Sequence, residues 1–249
     1  MSVVTKLKTQ SVQSGSSWAI LTAATFTWCF SLSLAVAEDK VVVIPLMDSS
    51  TSVVSGVPTV TSAGRVWMDR NLGALRVATK SADPDSYGTL YQWGRLGDGH
   101  EYRSSATIAA QSTADVPGHG RFIIGFEDWR NPANSNLWQG AAGVNNPCPA
   151  GFRLPTATEW ESERASWSSN NTAGALASPL KLAAAGYRDN SSGGLTLIES
   201  RGYYWSSTVS SAVSGTRSSN LYFRSDTAAT DTGIGLYRAC GLSVRCIKD

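Results

Sequence analysis

Apolar and polar positions along this chain come in short bursts separated by Ser-, Thr- and Gly-rich stretches. Lys40–Leu46 (KVVVIPL) is a β-branched run ending near a proline, which predicts a short strand. Residues 47–64 are rich in Ser, Thr and Val and read as a linker or an irregular edge. Arg65–Leu72 (RVWMDRNL) predicts a strand leading into a turn, and Asp83-Pro84 marks a loop over residues 79–86. Tyr87–Arg95 (YGTLYQWGR) carries aromatics at helix-like or turn-like spacing. Gly97–Gly125 is a polar excursion holding both histidines, and Phe126–Gly143 contains Trp129, Pro132 and Trp138 without a clean period.

The clearest local signal lies in Leu154–Glu161. Thr156 or Thr158 caps a helix with an acidic first turn, and Thr156 with Glu159 fits a capping box. Trp160 and Trp167 are seven apart, one helical face. Leu180–Tyr187 is apolar. Tyr203–Thr208, Asn220–Arg224 and Leu242–Ile247 predict three short strands between Ser/Gly/Thr loops. Many short strands, few helices and long loops give an α+β class, with no internal repeat.

The start of the chain changes the picture. Lys6 and Lys8 precede a mostly apolar stretch, Trp18–Val36, and Ala35-Val36-Ala37 has the small-x-small pattern of signal peptidase cleavage. This predicts a signal peptide over 1–37, an N-terminal strand and linker over 38–63, and a domain over 64–249. An uncleaved N-terminal anchor is the competing reading, and membrane contact is then confined to that segment. Lys6 and Lys8 carry the whole formal excess of +2, so the mature chain is neutral. It has no basic stripe for nucleic acid and no acidic tail. Beyond residue 37 the cysteines are Cys148, Cys240 and Cys246; an odd number in an exported protein leaves one free or paired outside the chain.

The motifs VWMDRNLG (66–73), YQWGR (91–95), CPAGFRLPTATEWE (148–161), AAGYRD (184–189), YYWSST (203–208) and GLSVRCIKD (241–249) occur in order over residues 64–249. This set resembles the Fibrobacter succinogenes major paralogous domain and Lcl C-terminal-type domains. The resemblance implies a C-type-lectin-like fold with short antiparallel strands, in its formylglycine-generating-enzyme-like variant. It also implies a secreted, periplasmic or surface location in bacteria, and a disulfide between Cys148 and Cys246. The fold is shared by enzymes and binders and so does not decide activity. The copper-holding cysteine pair of the formylglycine-generating enzymes is poorly matched by Cys240 and Cys246. The calcium-and-sugar motifs of animal C-type lectins are absent.

Candidate chemistry is sparse. Trp67, Trp93, Trp129, Trp138, Trp160, Trp167 and Trp205 read as core and loop anchors rather than sugar platforms. His100 and His119, with Asp98, Glu101, Asp115 and Asp128 nearby, lack zinc-ligand spacing and read as polar loop residues. No nucleophile triad can be assembled, and Glu159 and Glu163 read as solvated helix charges. No catalytic residue, metal or cofactor is assigned.

Val209–Leu242 stands apart. It lacks Lys, Glu, Gln, Met and Trp, the residues unreachable when only the adenines of an asparagine codon are randomised. Domains of this fold serve as variable proteins of diversity-generating retroelements, which implies a mutable ligand-binding face. Its candidate residues are Tyr222, Arg224, Asp226, Thr227, Thr230, Asp231, Thr232, Ile234, Leu236, Tyr237, Cys240 and Leu242. The expected function is an exported module binding a protein or glycan at a surface. The alternatives are a metal-dependent oxidase related to the formylglycine-generating group and a structural envelope protein without a discrete ligand.

Overall fold

The computed structural model describes residues 51–54, 56–211 and 215–249. The predicted leader, Cys29 and the Lys40–Leu46 strand lie outside the described residues.

Strands β1 (Thr51–Val54), β2 (Val57–Ser62) and β3 (Arg65–Met68) form an antiparallel meander. Ser62 pairs with Arg65 across Ala63 and Gly64, whose φ values of 47° and 73° give the two-residue turn that matches strand twist. Of the two readings of 47–64, a linker or an irregular edge, the linker is corrected over 51–62, where β1 is a regular edge strand paired to β2. Val60 is buried, and the domain boundary placed at 64 falls inside a hairpin. The sheet is completed by β7 (Phe152–Arg153) and β14 (Ile247–Lys248), in the order β1-β2-β3-β14-β7. Ile247 pairs with Trp67 on one side and Arg153 on the other.

A second sheet has the order β4 (Tyr91–Gln92), β13 (Gly241–Leu242), β8 (Tyr187–Arg188), β9 (Leu195–Thr196). The third stacks β10 (Gly202–Val209), β11 (Arg217–Phe223) and β12 (Ala228–Tyr237) in sequence order. β5 (Thr107–Ile108) and β6 (Phe122–Ile123) make a small parallel pair inside the long excursion. Among the described residues, helices are limited to α1 (Ala157–Ala165), α2 (Thr172–Ala177) and one short 3-10 turn, Pro84–Ser86. Mostly antiparallel sheet with little helix fits the α+β class.

Several expectations change in detail. Of the helix-like or turn-like readings of Tyr87–Arg95, the turn is found: β4 is followed by a turn in which the Arg95 N–H donates to Gln92 O at 3.1 Å. The strand expected at Leu242–Ile247 is split between two sheets. Between its halves, Ser243 bridges to Tyr204, and its carbonyl accepts from the Trp205 N–H at 3.0 Å. The last ten residues thus stitch all three larger sheets together. β12, the longest strand, was not expected at all. Gly235 (φ 66°) forms part of a register shift there; a Cβ would lie 2.4 Å from the Ser218 carbonyl oxygen.

The capping box forms as expected. The Thr156 hydroxyl accepts from the Glu159 N–H, and Glu159 Oε2 accepts from the Thr156 N–H at 2.8 Å. Trp167 lies past the end of α1 but packs into the same core as Trp160. The seven tryptophans from Trp67 onward are all buried, and each indole N–H donates. Trp93 donates to Ser206 O, Trp129 to Trp93 O, Trp138 to Asn145 O, Trp160 to Trp205 O and Trp205 to Tyr91 O. Trp67 donates to Ser62 O and Trp167 to Glu163 Oε1. Six of these indoles reach a backbone carbonyl and the seventh a carboxylate, so each large buried ring also satisfies its polar atom. Cys148 and Cys246 form a disulfide, with Cα atoms 5.9 Å apart, beside the five-stranded sheet.

Candidate binding face

The outward face of the β10–β12 sheet carries side chains in period 2, because alternate residues on a strand share a face. On β11 these are Asn220 and Tyr222, and Arg224 follows at the strand's end. On β10 it is Tyr203, preceded by Arg201. Tyr203 lies opposite Tyr222, and Asn220 opposite Asp231. Together with Leu236 these residues line a groove of about 330 Å³.

The Tyr203 and Tyr222 rings stack at 6.4 Å and 26°, and Tyr187 meets Tyr203 edge-on at 5.1 Å. All three rings are half-buried. Asn220 is 2% exposed, and its buried Oδ1 has no hydrogen-bond partner. Arg201 Nη1 contacts the Tyr203 hydroxyl at 3.4 Å, a contact that raises the Arg201 pKa. Arg224 pairs with Asp226 at 2.7 Å; both are solvated, so the pair adds little stability.

The twelve sequence candidates divide by position. Tyr222, Arg224, Asp231 and Leu236 meet in the groove. Asp226 and Thr227 lie in the β11–β12 turn, where the Arg224 N–H donates to Thr227 O. Thr230 and Thr232 fall on the other side of β12, where they line a depression of about 490 Å³ with Glu161 and Arg164 of α1. Ile234 is 65% exposed on the irregular part of β12. Tyr237 lies at the far end of that strand, with the Arg217 guanidinium 3.8 Å above its ring.

Cys240 and Leu242 are corrections. Both are buried in the main core and cannot contact a ligand at the surface. Arg201, Tyr203 and Asn220 were missed. Their signal was present in the sequence as the i, i+2 pairs Arg201/Tyr203 and Asn220/Tyr222.

No family model, no curated protein and no solved structure matches this chain. What the residues can do therefore follows from their own geometry.

Two other constellations have been given structural work. Asp98, His100 and Glu101 bring potential ligand atoms within 4.8 Å of one another. The histidine sits in a loop, as expected, and is fully buried there. Its Nε2 accepts from the Gln92 N–H at 3.1 Å and its Nδ1 pairs with Asp98 Oδ1 at 2.7 Å. This fixes the neutral tautomer with the proton on Nδ1, and burial pushes the pKa down to about 4. Asp98 also holds the buried Arg95 guanidinium, and Glu101 accepts from the Gly99 N–H. Both ring nitrogens are engaged, so a cation would have to displace existing hydrogen bonds. His119 is not in this group; its Nδ1 accepts from the Arg121 N–H.

The Cys240 thiol touches Asn190 Oδ1 at 3.4 Å, and burial pushes its pKa up to about 12. Cys246 is bonded to Cys148. Cys240 and Cys246 therefore do not form a thiol pair able to hold copper.

Proposed function

We propose that this chain is an exported bacterial ligand-binding module of C-type-lectin-like fold, binding a protein or glycan through the groove on the β10–β12 sheet. The observation that carries the reading is the meeting of Tyr222, Arg224, Asp231 and Leu236 with Tyr203 and Asn220 in one concave, aromatic-floored site. Half-buried tyrosines beside arginine and carboxylate groups supply contact area and directional hydrogen bonds at low entropic penalty. The disulfide supports an oxidising compartment. The adjacency of β3 and β14 supports the lectin-like arrangement, since both ends of the described domain share one sheet.

Diversification fits part of the predicted set. Asp226, Thr227, Thr230, Asp231, Thr232 and Ile234 occupy a turn, a register shift and half-open faces, where side chains change without altering the strand pairing. Cys240 and Leu242 are excluded from that set by burial. The test has two arms. In the genomic locus, a near-copy of the codons for residues 209–246 that differs at adenines, beside a reverse-transcriptase gene, would establish diversification; its absence removes that part. Screening the purified protein against glycan and surface-protein arrays tests binding itself. Loss of every hit with Tyr222→Ala and Arg224→Ala supports the groove, whereas unaffected hits move binding elsewhere.

A further inference from the structure

We propose that the groove binds an extended segment of a protein partner, one that presents a carboxylate, an apolar side chain and a cation at alternate positions. This inference rests on the binding reading above and narrows it to one partner chemistry.

Strand register lays the groove out in three rows. Gly202 pairs with Phe223, so Arg201 and Arg224, each one residue beyond that pair, lie at the same end. Tyr203 and Tyr222 face each other in the middle row. Asn220 and Asp231 make the third row. Arg224 directly follows β11, and from it to Asn220 the chain runs about 13 Å at about 3.3 Å per residue.

The two ends carry unmatched charge of opposite sign. Arg201 has no carboxylate within 4 Å among the described residues, and its guanidinium donates to the Tyr203 hydroxyl. Arg224 pairs with Asp226, and Asp226 also acts on Arg201 at longer range. Two cations thus share one carboxylate, which leaves positive charge in excess. Asp231 takes the Ile234 N–H on Oδ1 at 3.1 Å and has no cationic partner among the described residues. A separation of about 13 Å exceeds the screening length of about 8 Å at physiological salt, so the ends act separately. The arginines do not neutralise Asp231, and Asp231 does not repel an anion held by the arginines. Arg201, Tyr203, Tyr222, Arg224, Asp231 and Leu236 are all only half-buried, so a ligand can reach each of them.

A neutral ligand leaves both ends unmatched, and a ligand of one charge satisfies only one. The match is an anion and a cation on either side of an apolar centre. An extended chain points residues i, i+2 and i+4 to one face, about 6.7 Å apart. The groove rows repeat at the same interval, because a strand sets them too. The acidic side chain meets the Arg201 and Arg224 guanidiniums, whose planar forks suit a carboxylate. The apolar one packs on Tyr203, Tyr222 and Leu236, and the basic one reaches Asp231. A groove of about 330 Å³ takes side chains rather than a folded element.

Saturation-transfer NMR with the whole protein tests this, using acetylated and amidated pentapeptides. Glu-Ser-Leu-Ser-Lys and Lys-Ser-Leu-Ser-Glu cover the two chain directions. Gln-Ser-Leu-Ser-Gln, Glu-Ser-Leu-Ser-Glu and Lys-Ser-Leu-Ser-Lys are the comparisons. One of the first two should bind saturably, at least about threefold tighter than the neutral peptide, and lose that advantage in about 0.5 M NaCl. Arg201→Glu should turn the preference to Lys-Ser-Leu-Ser-Lys. Asp231→Asn, which keeps an acceptor for the Ile234 N–H, should remove the gain from the lysine. Thermal unfolding checks that each variant is folded. If Arg201→Glu does not fold, Arg201→Gln replaces it and should remove the gain from the glutamate.

Equal binding of the charged and neutral peptides, or a preference that the Arg201 and Asp231 variants leave unchanged, overturns the proposal. If no peptide binds, the peptide inference falls. The binding module then stands on any array hit lost with Tyr222→Ala, and falls without one.

Discussion

Arg245 donates from Nε and Nη2 to one oxygen, Oδ1 of Asn71, at 3.1 and 2.9 Å, across 174 residues of chain. The guanidinium is buried and also donates to the carbonyls of Leu180 and Met68. Asn71 turns its amide nitrogen toward Ser86 O, Tyr87 O and the Tyr204 hydroxyl. Two sequence motifs, one near the start of the described domain and one at its end, are thereby locked face to face. Asn71→Ala leaves a buried cation short of its acceptor and should destabilise the fold by about 2–4 kcal/mol. Urea unfolding measures this directly, and a loss below about 1 kcal/mol would contradict the role.

Two buried groups make opposite contributions on acidification. His100 takes a proton near pH 4 when folded but near 6.5 when unfolded, so its stability is present above pH 6.5 and lost toward pH 4. Asp128 runs the other way. Burial raises it from 3.8 to about 6, so protonation favours the folded state as pH falls through that window. Each contributes about 2–3 kcal/mol between pH 7 and 4.5, and they largely cancel. Wild-type stability should be nearly flat over this range. Asp128→Asn should expose a fall of about 2–3 kcal/mol, and His100→Gln a rise of similar size, in unfolding curves at the two pH values.

The thiols should differ sharply in reactivity. In native protein, without reductant, iodoacetamide should leave Cys240 unlabelled, because it is buried and its pKa is pushed up to about 12. In denaturant it should label fully while Cys148 and Cys246 stay protected. Peptide mapping reads all three. Replacing Cys148 and Cys246 together by Ala should lower stability by about 4–5 kcal/mol, since the bond closes a loop with a sequence separation of 98.

The cap of α1 should be measurable by itself. Thr156→Ala removes the acceptor for the Glu159 N–H and should lower stability by about 1 kcal/mol. Glu159 also binds Arg153 through two bonds of 2.8 Å, and these with the Thr156 N–H hold its pKa at about 2. Its contribution should therefore be intact at pH 5 and lost as pH falls from 4.5 toward 2. Glu159→Gln should flatten that part of the profile.

The chain's local signals were legible where a short sequence carries its own partner. Thr156 and Glu159 sit three apart, and the capping box is fully contained in that spacing. Tyr203–Thr208 and Asn220–Arg224 are apolar and aromatic enough to announce strands. β12 was not legible, because ATDTGIGLY has no apolar period; its pairing to β11 supplies what its composition lacks. The burial of His100 within its loop was not legible for a related reason. Only the fold brings the Gln92 N–H and Asp98 to its two ring nitrogens.

The sequence alone determined the α+β class, the helix start and the aromatic anchors, all consequences of spacing and burial preference within a few residues. The tertiary structure decided that Cys240 and Leu242 belong to the core, that the variable-looking segment is divided between two sides of β12, and that Tyr203, Tyr222 and Asp231 meet in one groove. Those outcomes depend on strand register. One residue of shift exchanges the faces of a sheet, and register is set by partners far away in the chain.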